Sequence, residues 1–354
     1  MEQITTNIFF GFLTSFILTY LVIPKIILFA EKKQLYVNPN ERASHEKHTP
    51  FFGGIGIFAG FSFAFLFWGI GMENLENIEF VLSALIIIFF VGVIDDLLSL
   101  SPFKKMIGQL VAILILIYLA DFEITNMHGV FGIFELTSLV SIPFTIFVVV
   151  VITNSYNLID GVDGLAAGIG IIASTCFGIL AFTASHYTIV ILAFSLTGSL
   201  LAYIKYNFYP AKILMGDTGS LVVGFIFAIL SIDLVKTGVI TNEVNYINKG
   251  PLMAISFLAI PLFDSLRVFV LRISKGKYPL YADRNHIHHA FLDLGFSHKQ
   301  TAIILYVASI FIVFISIFLL EININYAICI LALIVYLLMS IPLLILKRRH
   351  RYNE

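Results

Sequence analysis

Long apolar segments recur along the whole chain, and short polar segments separate them. A helix that crosses a bilayer needs about 20 mostly apolar residues. By that criterion the pattern predicts eleven membrane-spanning helices, over residues 8–30, 52–70, 79–94, 107–120, 138–153, 164–183, 187–204, 219–235, 251–271, 301–320 and 324–346. We therefore expect an all-α polytopic membrane protein in which residues 1–354 form a single integral membrane domain.

The composition agrees with this pattern. Hydrophobic residues make up 59% of the 354 residues, and charged residues make up 12%, about half the usual quarter of a soluble domain. The formal net charge of −1 argues against binding nucleic acid by bulk charge. Membrane lipid is therefore an expected partner, and nucleic acid is not. The sequence does not fix the oligomeric state, and a homodimer is kept as one option.

The distribution of Lys and Arg predicts the orientation, because cytosolic flanks are enriched in these residues. If the basic cluster 347–351 lies in the cytosol, all 21 Lys and Arg residues except Lys236 and Lys249 fall on the cytosolic side. Eleven spans then place the N-terminus outside and the C-terminus inside. The polar segments of greatest interest fall in or beside five loops of that face, at 40–52, 95–106, 154–164, 205–219 and 272–300.

Carboxylates are concentrated in three of these segments. Asp95 and Asp96 are adjacent, and such a pair can bind a divalent cation or supply a general base. The alternative is a charged end to an apolar helix. Asp217, in a Gly-Asp-Thr-Gly sequence, is a hard oxygen donor of the kind that Mg²⁺ prefers. As the alternative, it would cap the helix that follows.

A polar stripe precedes the sixth span. Asn157, Asp160 and Asp163 recur every three residues, and Asn154 extends the series. On a helical turn these side chains would share one face. Such a face suits a hydrated cation or a sugar–nucleotide. The alternative is a polar helix start, with aspartates near the positive end of the helix dipole.

The last segment contains His286, His288 and His289, close to Arg284. As hydrogen-bond donors these groups could hold a phosphate. Zinc is disfavoured, because there is no H-E-x-x-H sequence and no cysteine partner. A solvated loop cluster without a role stays open.

These groups together suggest one kind of chemistry. The carboxylates indicate a divalent cation, whereas Lys47, Arg284 and the histidines indicate an anion. The combination is typical of Mg²⁺-assisted reactions of a phosphate or diphosphate. A site at the membrane edge predicts one soluble and one lipid substrate.

Four motifs, in order, resemble those of the polyprenyl-phosphate N-acetylhexosamine-1-phosphate transferases. They are Asp95-Asp96, Asn154-x-x-Asn157-x-x-Asp160-Gly-x-Asp163-Gly-Leu165, Gly216-Asp217-x-Gly219-Ser220 and His286-x-His288-His289. The peptidoglycan-precursor translocase branch typically has three adjacent aspartates and three adjacent histidines. Here Leu97 follows the aspartate pair and Ile287 interrupts the histidines. The chain therefore looks like the other branch, which starts O-antigen (lipopolysaccharide), enterobacterial common antigen or teichoic-acid linkage units.

The resemblance implies transfer of GlcNAc-1-phosphate, or a related sugar phosphate, from a UDP-N-acetylhexosamine to undecaprenyl phosphate, with release of UMP. It also implies a cytosolic site in the bacterial inner membrane. Asp217 with Asn157 would hold Mg²⁺, for which Mn²⁺ could substitute. Asp95 would deprotonate or orient the lipid phosphate, with Asp96 supporting it. The remaining roles would be contacts with nucleotide or sugar (Asn154, Asp160, Asp163) and a grip on the diphosphate (Lys47, Arg284, His286, His288, His289).

Two other functions are carried beside this one. The first is the peptidoglycan reaction itself, with a UDP-MurNAc-pentapeptide donor. The second is a cation transporter, which is not an enzyme. A transporter would be expected to hold its carboxylates at mid-membrane on broken helices, whereas these map to predicted cytosolic loops and helix ends.

Overall fold

The computed structural model describes residues 2–36, 49–69, 77–240, 245–276 and 285–353. Within these ranges the chain is almost entirely helical. The helices are α1 (Glu2–Lys33), α2 (Gly53–Gly69), α3 (Ile78–Leu98), α4 (Pro102–Tyr118), α5 (Ser138–Leu158), α6 (Leu165–Thr183), α7 (Tyr187–Asn207), α8 (Gly216–Thr237), α9 (Gly250–Phe257), α10 (Ala259–Ser274), α11 (Ile287–Asp293), α12 (His298–Phe318) and α13 (Ile324–Asn353). Two antiparallel hairpins complete the fold, β1 (Asn126–Val130) with β2 (Ile133–Glu135) and β3 (Val239–Ile240) with β4 (Asn245–Tyr246).

The helices confirm a multi-pass membrane protein. Among the described residues, eight helices are long and apolar enough to cross a membrane. The count rises to nine if α9 and α10, which meet at an 80° bend, form one broken span. All eleven predicted segments lie on helices, but α2 and α4 have only 17 residues each. The total of eleven spans and the orientation of the termini stay predictions.

Helix α8 forms the centre of the bundle. It is apolar on every side from Leu221 to Leu230, and its buried stretch continues to Leu234. A helix that is hydrophobic all round belongs in a core, and α8 packs against α2, α3 and α5. In contrast, α12 and α13 expose rows of large apolar side chains such as Val307 and Leu333. These outer rows have the character of a lipid-facing surface.

Two glycines let neighbouring helices approach the start of α8. A β-carbon at Gly54 would overlap the backbone of Gly219, and one at Gly92 would overlap Thr218. In addition, the backbone N–H of Gly54 donates to the carbonyl of Met215 at 2.9 Å. The first turn of α8 is therefore held against both α2 and α3.

Several helices extend beyond their predicted apolar segments. Helix α3 continues to Leu98, so Asp95 and Asp96 lie in its last turns rather than in a loop. Helix α5 continues to Leu158, and α8 already begins at Gly216. The prediction ended each helix where the apolar residues end. Backbone hydrogen bonding continues through polar residues, so the helix ends bring these side chains to the site.

Candidate active site

A lysine joins two of the predicted site carboxylates. Lys105, in the first turn of α4, places its Nζ 2.9 Å from Asp95 Oδ2 and 2.6 Å from Asp217 Oδ1. One ammonium thus bridges carboxylates from α3 and α8. The sequence interpretation missed Lys105 and treated it only as part of the cytosolic positive charge. Its position at the start of the helix that follows the aspartate pair was the available signal.

The adjacent aspartates have different partners. Asp96 Oδ1 accepts the backbone N–H of Asp217 at 2.7 Å, and its Oδ2 accepts the N–H and hydroxyl of Thr218 at 3.0 and 2.5 Å. Asp96 therefore caps α8 from a neighbouring helix, where a carboxylate complements free N–H groups and the helix dipole. Asp95 instead accepts the N–H of Leu100 at 2.7 Å and faces Lys105. The cap considered for Asp217 is supplied by Asp96, which leaves the Asp217 carboxylate for other contacts.

The two asparagines of the stripe also differ. The Asn157 amide nitrogen donates to Asp217 Oδ1 at 2.6 Å and to Ser220 Oγ at 2.7 Å. The Asn154 amide nitrogen donates to the side-chain oxygen of the buried Gln109 at 3.0 Å. Asn157 is therefore part of the Asp217 cluster, whereas Asn154 links α5 to α4.

The expectation that Asn157, Asp160 and Asp163 share one helical face is wrong. Helix α5 ends at Leu158, and the chain turns through residues 159–164 before α6 begins. Gly164 completes the turn with a φ of +78°, a conformation that glycine adopts without strain. The two aspartates lie in this turn rather than on a continued helix.

Asp160 and Asp163 consequently have separate environments. Asp163 is buried, and its Oδ2 accepts the N–H of Ala211 at 3.0 Å, which ties the turn to the segment that leads into α8. The half-buried Asp160 side chain makes no hydrogen bond among the described residues. Burial raises the pKa of Asp160 well above its ordinary value, and the negative charges of Asp217, Asp96 and Asp163 raise it further.

The histidine motif packs against that turn. His286, His288 and His289 are all buried, and neighbouring rings lie 5.7 Å and 4.3 Å apart, centroid to centroid. His288 lies so close to Gly161 that a β-carbon there would collide with its ring. Burial lowers the pKa of His288 to about 3, so this imidazole is neutral near pH 7. The structure thus brings the histidines to the turn that contains Asp160, while Lys47 and Arg284 lie outside the described residues.

The donor set at Asp217 fits Mg²⁺ shared with a diphosphate. Within the described ranges, no three His, Cys, Asp or Glu side chains converge in a way that could hold a metal ion by themselves. Mg²⁺ usually takes only one or two protein carboxylates, and substrate phosphates and water complete its shell. Asp217 supplies one carboxylate, and the amide oxygen of the adjoining Asn157 makes no hydrogen bond among the described residues.

Comparisons with known proteins give relatives of one kind. The sequence profile described as glycosyl transferase family 4 matches residues 78–235. This range includes Lys105, Asn157 and the five aspartates of the candidate site, which are Asp95, Asp96, Asp160, Asp163 and Asp217. A probable undecaprenyl-phosphate N-acetylglucosaminyl 1-phosphate transferase of Bacillus subtilis (strain 168) is 30% identical over 312 residues, covering 86% of this chain and 83% of the relative. An undecaprenyl-phosphate alpha-N-acetylglucosaminyl 1-phosphate transferase of Yersinia pestis is 28% identical over 285 residues, covering 79% and 75%. A decaprenyl-phosphate N-acetylglucosaminephosphotransferase of Mycobacterium leprae (strain TN) is 29% identical over 314 residues, covering 83% and 79%.

Proposed function

The chain belongs to glycosyl transferase family 4, and from this membership we propose that it transfers GlcNAc-1-phosphate to a polyprenyl phosphate in the membrane. The relatives are named for this transfer, to undecaprenyl or decaprenyl phosphate. The proposed donor is UDP-GlcNAc, and UMP is the leaving product. The contact of one lysine with both Asp95 and Asp217 is the observation that carries the proposal. It brings the aspartate predicted to act on the lipid phosphate next to the aspartate predicted to bind Mg²⁺.

Phosphoryl transfer depends mainly on positioning and on electrostatic stabilisation. Asp217 and Asn157 would hold Mg²⁺, which when bound would neutralise charge on the donor diphosphate. Asp95 would orient or deprotonate the lipid phosphate. Asp96 would act through the first turn of α8, since it holds the backbone N–H of Asp217.

The other polar groups would surround the donor. Asp160 has an unengaged carboxylate, which suits a contact with nucleotide or sugar. Lys47, Arg284 and the three histidines would bind the diphosphate. Asp163 and Asn154 would shape the site, because their side chains contact Ala211 and Gln109.

The site would face the cytosol of a bacterial cell at the plasma membrane. The distribution of Lys and Arg along the chain supports this orientation. The product would start a lipid-linked envelope glycan, such as an O-antigen or a teichoic-acid linkage unit.

The test is a reconstituted reaction with purified protein, undecaprenyl phosphate and radiolabelled UDP-GlcNAc. We expect labelled lipid and UMP in equal amounts, activity with Mg²⁺ and loss of activity with a chelator. The donor panel includes UDP-GalNAc and UDP-MurNAc-pentapeptide. Product from the pentapeptide donor alone would indicate the peptidoglycan reaction. Cation flux into vesicles without any lipid product would indicate a transporter.

A further inference from the structure

A buried aspartate on α10 contacts the histidine motif directly. Asp264 is 2% exposed, and its Oδ2 lies 2.8 Å from His286 Nδ1. Its Oδ1 accepts the backbone N–H of Ile287 at 2.9 Å and a guanidinium N–H of Arg267 at 3.0 Å. In the sequence, Asp264 and Arg267 are three residues apart on one helix, and an intrahelical ion pair is the simplest interpretation. The structure adds two contacts that reach across to another element.

These contacts secure the start of α11. His286 is the residue before the helix, with extended backbone (φ −67°, ψ 151°), and its side chain does not cap the helix. Asp264 supplies a carboxylate to the first helical N–H from outside, where negative charge is favourable. Arg267 adds a bond to the carbonyl of Asn285. The backbone on both sides of His286 is thus bound to α10.

The ring of His286 is held in the same way. When one ring nitrogen bonds to a carboxylate, both the orientation of the ring and the nitrogen that carries the proton are fixed. With Nδ1 bonded to Asp264, Nε2 is the nitrogen left for a ligand. His286 stacks on His288 with ring planes 5° apart, and His288 packs against Gly161 in the Asp160 turn. The orientation set by Asp264 therefore passes to the rest of the motif.

We propose that Asp264 is a positioning residue for the transferase reaction, which acts through His286. It orients the imidazole and secures the start of α11 from α10. Among the described residues to which the reaction is assigned, its contacts are with the histidine motif. The kinetic part of this inference rests on the proposed function, whereas the ring geometry of His286 does not.

The kinetic test compares Asp264→Asn, His286→Gln and the double variant. Mutating the hydrogen-bonding partner of a metal-bound histidine typically costs about 10–100-fold, and we expect a loss of the same size in kcat for Asp264→Asn. KM for UDP-GlcNAc should change by less than about threefold, since bound substrate still meets the other groups. Because Asp264 acts through His286, the double variant should be no slower than His286→Gln alone. Multiplicative losses, or a normal kcat in Asp264→Asn, would overturn the proposal.

The chain offers a matched control in Asp233→Asn. Asp233 is also a buried aspartate paired with a histidine, with 3.0 Å between Asp233 Oδ1 and His186 Nδ1. It lies near the C-terminal end of α8, whereas Asp217 lies in the first turn of that helix. Its replacement should lower thermal stability while kcat stays within about twofold, as expected far from the site. If Asp264→Asn does not fold, Asp264→Ser, which also removes the carboxylate, takes its place in the double-variant comparison, with the same outcomes expected.

A second readout does not depend on catalysis. In protein labelled with ¹⁵N-histidine, the His286 ring signals are identified by their loss in His286→Gln. In the native protein Nδ1 should carry a proton and have the chemical shift of a donor to a carboxylate. That signal should move in Asp264→Asn and stay in place in Asp233→Asn. A signal that does not move in Asp264→Asn contradicts the positioning role. If the signal moves in Asp264→Asn but the native protein forms no lipid product, the proposed reaction is contradicted instead.

Discussion

The two ends of helix α8 both contain an aspartate, but only one end has an excess of negative charge. At the Asp233 end, two aspartates each have one basic partner. Asp233 pairs with His186, and Asp121 pairs with Lys236 at 3.0 Å. At the Asp217 end, Asp95 and Asp217 share the single ammonium of Lys105. Asp160 there interacts electrostatically with Asp96, Asp163 and Asp217.

This difference separates a structural ion pair from a functional cluster. Like charges at close range disfavour the folded state unless something compensates them. A matched pair needs no ligand, whereas an unbalanced group of carboxylates favours a cation or a cation-bound diphosphate. The excess charge therefore singles out the Asp217 end, although both ends are built on the same buried helix.

The largest predicted effect is that of Asp217→Asn. The substitution keeps the size of the side chain and its contact with Asn157 but removes the charge expected to bind Mg²⁺. We expect activity to fall by about 10²–10³-fold, a loss typical of removing one strong electrostatic contact from a site. Thermal stability should change little, because Asp96 rather than Asp217 caps α8. Activity is titrated with Mg²⁺ and unfolding is followed in the same preparation.

Asp233→Asn is the comparison at the other end of the helix. It should lower the unfolding temperature and leave the Mg²⁺ titration unchanged. Retained activity and an unchanged Mg²⁺ requirement in Asp217→Asn would remove the metal assignment and, with it, the distinction between the two ends.

Much of this arrangement could be predicted from the sequence, because membrane spans and polar motifs are local features. Every predicted apolar segment is helical, and Asn157 and Asp217 do meet. The partners of each carboxylate could not be predicted, since they come from other elements. Adjacent Asp95 and Asp96 point to Lys105 and to Thr218. Asp264, which resembled half of an intrahelical pair, also binds His286.

Lys105→Met tests the compensation at the Asp217 end. Asp95 keeps only 9% of its side-chain surface exposed, so loss of the ammonium leaves a nearly buried charge unpaired. Breaking a buried ion pair from one side costs about 3–5 kcal/mol. For Lys105→Met we expect the free energy of unfolding to fall by about 2–3 kcal/mol. The loss is smaller than for a fully buried pair because the second partner, Asp217, is 35% exposed and therefore partly screened.

The double variant Lys105→Met/Asp95→Asn is the control, since it removes the uncompensated charge as well. It should regain most of the lost free energy of unfolding. If the double variant is no more stable than Lys105→Met, the loss comes from packing of the lysine chain rather than from charge.

The smallest predicted effect concerns Asp160 and depends on pH. Its raised pKa means that the folded protein retains a proton on this carboxyl where the unfolded chain has lost it. The stability from that proton is present at low pH and is lost as pH rises through the raised pKa. Asp160→Asn, which cannot ionise, should therefore match the native protein at low pH. Near neutral pH its unfolding temperature should be higher than that of the native protein. The difference should be about 2 °C for each kcal/mol of charge repulsion and desolvation that the substitution removes.

The measurement is the unfolding temperature of both proteins across pH, with a chelator present. Asp163→Asn is the matched variant three residues away. It should lower the unfolding temperature near neutral pH, because the Asp163 carboxylate accepts the N–H of Ala211 and lies 3.6 Å from His298. The two substitutions should change the unfolding temperature in opposite directions if Asp160 contributes uncompensated charge and Asp163 makes stabilising contacts. A stability loss in Asp160→Asn at neutral pH would mean that both aspartates make stabilising contacts.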